Sequence, residues 1–93
     1  MSTYLTASET WDAGSIADGD EEMEEITVTG AALGDFVMAS FSLDVTDLDV
    51  GAAVTAADTV TVVVGNDTGG AIDLASGTLR VVVVSKAGLG IGK

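Results

Sequence analysis

Val37-Met38-Ala39-Ser40-Phe41-Ser42-Leu43-Asp44-Val45 is the stretch on which the reading of this chain turns. Val37, Ala39, Phe41, Leu43 and Val45 alternate with Met38, Ser40, Ser42 and Asp44, a period of two held over nine residues. Successive side chains of an extended backbone point to opposite sides, so this pattern predicts a strand with one core face and one mostly polar face.

The flanking sequence repeats the same logic. Gly30-Ala31-Ala32-Leu33-Gly34 is a turn bounded by glycines, preceded by a short strand over 25–29 with Ile26 and Val28 on one side. Downstream, Asp44, Asp47 and Asp49 gather at a turn, followed by a strand over 50–56. After the turn residue Asp58 comes a strand over 59–64, with Val60, Val62 and Val64 inward. Residues 65–77 read as a long loop in which Asp73 caps a single helical turn closed by Gly77. The last strand, 78–85, sets Leu79, Val81 and Val83 against Arg80, Val82 and Val84. Apolar residues on both of its sides predict a central strand or one covered by a neighbour.

The two ends are less regular. Residues 1–11 alternate weakly and predict a strand or an extended arm. Residues 12–25 include Asp20-Glu21-Glu22-Met23-Glu24-Glu25, five like charges in six residues, and predict a solvated, mobile loop. Residues 86–93 form a glycine-spaced tail. The expected organisation is an arm and acidic loop over 1–24, a β body over 25–85 and a flexible tail over 86–93, one domain overall. The fold class is all-β: a small antiparallel sandwich or barrel of five to six strands. No helix longer than a turn or two is expected.

Composition narrows the function. The chain has 93 residues and no cysteine, which excludes disulfides and thiolate metal sites. It has no histidine, the commonest general base and metal ligand. With Arg80, Lys86 and Lys93 as the only bases, no nucleophile–base pair can be assembled, so no enzyme and no cofactor are expected. The net charge is −12, and residues 1–49 hold twelve acids and no base. Phosphate backbones and anionic lipid would repel such a chain, so neither nucleic acid nor membrane is an expected partner. The N-terminus lacks the basic and apolar regions of a secretory leader. A core this small gains from oligomerisation or from docking on a larger assembly.

Individual motifs have ordinary readings beside sharper ones. Asp44, Asp47 and Asp49, or Asp18, Asp20 and Glu21, can offer oxygen ligands to calcium, but neither group has EF-hand spacing. Solvated surface acids are the simpler reading of both. Asn66-Asp67-Thr68 has the form of a glycosylation sequon and reads as turn chemistry. Trp11, the single tryptophan, suits core burial and an anchoring role at an interface equally well. Arg80, alone among many acids, is expected to pair with a carboxylate. The candidate contact residues are Tyr4, Trp11, Leu89 and Ile91.

Three segments carry a resemblance. They run from Thr29 to Asp44 (TGAALGDFVMASFSLD), from Ala56 to Val62 (AADTVTV) and from Thr68 to Val81 (TGGAIDLASGTLRV). With Trp11 to Gly19 (WDAGSIADG) before them, they resemble recurring stretches in small structural proteins of tailed bacteriophages. The acidic run 20–25 departs from the Thr/Ala-rich lead of such proteins, and Ser85–Lys93 extends past the shared region. The resemblance implies a virion structural protein on the outer surface of the capsid, made in the host cytoplasm. It implies a decoration, or cement, role: binding the major capsid protein non-covalently, as a homotrimer. The alternative is a fibre- or tail-associated module that binds host-surface glycans through Trp11 and Tyr4.

Overall fold

The structure, a computed structural model, describes residues 4–86. Eight strands follow in order: β1 (Tyr4–Trp11), β2 (Gly14–Ile16), β3 (Asp20–Thr27), β4 (Phe36–Phe41), β5 (Asp49–Ala56), β6 (Thr59–Asn66), β7 (Ile72–Leu74) and β8 (Gly77–Val84). They form two three-stranded sheets, β1-β8-β4 and β3-β6-β5, and a two-stranded sheet β2-β7. Every ladder is antiparallel. The first strand pairs with the eighth, the second with the seventh and the third with the sixth. The nesting stops there: β4 pairs with β8 and β5 with β6, not with each other.

The valine-rich strands are central because branched side chains fill both sides of a pleated surface. β6 sends Val60, Val62 and Val64 inward, and β8 sends Leu79, Val81 and Val83; all six are buried. Trp11, Ile16, Ile26, Val28, Leu48, Val54 and Leu74 complete the core. The Trp11 and Phe41 rings meet edge to face, centroids 5.8 Å apart.

The all-β class is as expected, and the differences have local causes. The two strands beyond six are β2 and β7, three residues each and paired only with one another. Asp73 accordingly sits in a strand opposite Ser15, with no helical turn closed by Gly77. Of the strand and the extended arm expected over residues 1–11, the strand is found: β1 pairs over eight residues with β8. Asp20–Glu25, expected as a mobile loop, forms most of β3. This is an edge strand, bonded on one side only, where charged side chains stay solvated and discourage further pairing. β4 stops at Phe41, short of the predicted Val45. There the chain bends, and Asp44 accepts bonds from the Thr46 backbone N–H at 2.9 Å and from the Thr46 hydroxyl. Leu43 and Val45 still pack against the core from the bend.

Candidate functional site

The outer side of the β1-β8-β4 sheet collects side chains that make no hydrogen bond or ion pair among the described residues. Strand register aligns them in rows: Tyr4, Val84 and Phe36; Thr6, Val82 and Met38; Ser8, Arg80 and Ser40; Thr10 and Thr78. Two adjacent rows are thus largely apolar, with Tyr4 55%, Phe36 47% and Met38 65% exposed. The other two rows are hydroxylic around one guanidinium. A shallow groove of about 280 Å³ lies on the opposite sheet, whereas this side has one of about 220 Å³ running past Thr6, Ser8, Arg80 and Val82. Exposed apolar side chains gathered in one place are uncommon on a lone soluble domain and mark contact surfaces.

None of these eleven positions carries a carboxylate, in a chain with fifteen. Arg80 therefore has no acid beside it on its own face. Among the described residues the ion pair is Lys86–Asp35, at 3.7 Å, and the expected partner for Arg80 is absent. Lys86 is held further by its ammonium donating to the Leu33 carbonyl at 3.0 Å. Asp35 also accepts backbone N–H bonds from Ala32 and Lys86. These bonds, with the Lys86 charge, hold the Asp35 carboxyl below its ordinary value.

The candidate contact residues separate. Tyr4 opens the apolar end of the outer face. Trp11 is 8% exposed and sits in the core, so it has little surface to offer a partner. Leu89 and Ile91 lie outside the described residues.

The acidic side is built differently. Register brings Glu21, Gly65 and Asp49 into one row of the β3-β6-β5 sheet, at the rim of the groove lined also by Asp20 and Asp67. Members of both calcium candidates thereby approach one another. Among the described residues, however, no three carboxylates are placed to hold a metal ion. Asp18 accepts from the Gly69 backbone N–H at 3.0 Å, and Asp44 is engaged by Thr46, whose hydroxyl and N–H hold its carboxyl below the ordinary range. Both are spent on turns.

Glu9 and Glu24 meet where the edges of the two sheets approach, one from β1 and one from β3. The Glu9 carboxyl is raised to about 7 by a hydrogen bond to Glu24, by burial and by repulsion from the same neighbour. Glu9 is thus the member of the pair that donates in this bond.

The turn expected at Asn66-Asp67-Thr68 is present, but the burial of Asn66 was not foreseen. It is 1% exposed at the inward end of β6. Its amide N–H groups donate to the Ile16 carbonyl at 2.7 Å and the Gly70 carbonyl at 2.9 Å. Its oxygen accepts from the Thr68 N–H at 2.9 Å and the Thr68 hydroxyl at 2.8 Å. All four bonding positions of the amide are used. The signal was present: carrying the alternation of Val60, Val62 and Val64 one step further puts position 66 inward.

No protein-family model matches this chain, and no curated protein is significantly similar to it. Among the described residues, no helix is long and apolar enough to cross a membrane.

Proposed function

We propose that this chain is a virion structural protein, a capsid decoration protein that attaches non-covalently to the outer shell. The resemblance of its three segments to phage structural proteins supplies the setting. The observation that carries an adhesive role, toward the shell or toward further copies of the chain, is the outer face of β1-β8-β4. It presents Tyr4, Phe36 and Met38 to solvent on a rigid sheet, with no acid–base pair suited to chemistry nearby. Adhesion needs a shaped, desolvatable surface and nothing more.

In this reading the partners are the major capsid protein and further copies of the chain, assembled as a homotrimer. Several weak contacts made at once raise the effective concentration of each, so small surfaces sum to firm attachment. The protein is non-catalytic, made in the host cytoplasm, and carried on the particle.

The glycan-binding alternative relied on two aromatic side chains. With Trp11 in the core, Tyr4 alone of that pair is in solvent, in one row with the apolar Val84 and Phe36. All-β domains serve viral shells and sugar binding alike, so the fold class does not choose between the two.

Copy number decides. Quantitative mass spectrometry of purified particles is expected to find the chain at a stoichiometry comparable with the major shell protein. A few copies per particle, or none, would sink the decoration role.

A further inference from the structure

We infer that the carboxylate-free outer face of β1-β8-β4 is where copies of this chain meet one another. The inference deepens the self-association in the proposed function by naming its surface.

Charge is the argument. The chain bears −12, so two copies repel wherever their acidic sides approach. The outer face of the β3-β6-β5 sheet carries Glu21, Glu25 and Asp49, and burying these against like charges would be costly. The outer face of β1-β8-β4 carries none, and its one charge is Arg80. Depleting acid from a surface is useful when the partner is itself acidic; a basic partner would favour keeping it. The acidic partner in view is this chain.

Shape and chemistry agree. Tyr4, Phe36, Met38, Val82 and Val84 form a continuous apolar end, and Arg80 can reach hydroxyls or carbonyls of a neighbouring copy. The size sets the strength. Strands of eight, eight and six residues span at most roughly 27 by 14 Å, about 350 Å² of flat sheet. A stable interface covers about 800 Å² per partner. Contact through this face alone is therefore reversible, and it strengthens as salt screens the repulsion between the acidic sides.

Sedimentation equilibrium of the full chain tests this, at loadings up to about 500 µM and in low and high NaCl. The wild type should exceed the 9.2 kDa monomer mass, with association several-fold tighter at high salt. Met38→Glu places an acid on the face and should weaken association by about tenfold or more. Met23→Glu, on the opposite sheet and 58% exposed, adds the same charge and should change it less than about twofold. Both positions are solvent-facing, so both variants should fold, as circular dichroism will verify. A monomer under all conditions overturns the inference, whether residues 87–93 or a foreign surface covers the face instead. So does equal weakening by both variants, which would reflect net charge alone. Either result leaves the decoration role to be decided separately, by copy number.

Discussion

On the β1-β8-β4 sheet the solvent side carries Tyr4, Phe36, Met38, Val82 and Val84; on the β3-β6-β5 sheet it carries Glu21, Glu25 and Asp49 about a middle row of Met23, Val63 and Gly51. The inner sides are nearly interchangeable, with three buried aliphatic residues on each central strand. The comparison separates two jobs. Stability is written on the inner sides, where shape and apolar area count. What the molecule can touch is written on the outer sides, where the same backbone geometry presents opposite chemistries.

The central strands also differ in how they are anchored at one end. β6 finishes in the buried amide of Asn66, whereas β8 begins at Gly77, pressed beneath Phe41. The largest expected effect is at the first of these. Asn66→Ala strands the Ile16 carbonyl, leaves the Gly70 carbonyl with the Thr68 hydroxyl alone and frees the Thr68 turn, and should cost about 3 kcal/mol in chemical denaturation. A loss below about 1 kcal/mol would mean that water replaces the amide without penalty. At Gly77 an added Cβ would lie 2.9 Å from Phe41 Cζ and 2.8 Å from Ser42 Oγ. Gly77→Ala should therefore cost about 1–3 kcal/mol by displacing the Phe41 ring from Trp11. An unchanged Trp11 emission spectrum together with unchanged stability would refute that account.

The seam between the sheets gives a pH signature. The folded-state value of Glu9, about 7, lies above its ordinary 4.5, so the folded protein binds this proton more tightly than the unfolded chain. The resulting stability is complete below about pH 4.5, declines as pH rises, and is gone above pH 7. Asp35 and Asp44 act in the opposite sense: their lowered values add stability that is lost as pH falls through them, below 3.8. Glu9→Gln keeps a donor for Glu24 and should flatten the decline in melting temperature between about pH 5 and 8. Parallel curves for variant and wild type would remove Glu9 from the explanation.

Salt acts on the acidic side as a whole. Melting temperature should rise by several degrees from low to high NaCl as carboxylate repulsion is screened, and a flat profile would contradict it. The smallest effects belong to the outer faces. Met38→Glu and Met23→Glu should each change monomer stability by no more than about 0.5 kcal/mol. A larger loss at Met38 would show that its side chain supports the fold as well as the surface.

The strand at 37–41, the valine strands β5, β6 and β8, and the inward sets of β6 and β8 were legible because alternation is a local property of the chain. The apolar residues on both sides of β8 were legible too, and of the two readings they allowed, the central strand is the one found, between β1 and β4. Other features were hidden for reasons of distance. Nothing near Asp20–Glu25 announces a strand; the run extends because β6 supplies a ladder for it, and an edge position lets its carboxylates remain in water. β2 and β7 are too short to show a period and exist only as each other's partner. Arg80 looked destined for a carboxylate, yet register surrounds it with Ser8, Ser40 and Val82.

The sequence by itself determined the β class, the absence of cysteine and histidine chemistry, and which residues of the central strands face inward. Only the tertiary structure decided that Trp11 belongs to the core, that Glu9 meets Glu24, and that one whole sheet face is free of acid. Periodicity is encoded between neighbours in the chain, whereas a face is assembled from strands that lie up to eighty residues apart, as Tyr4 and Val84 do.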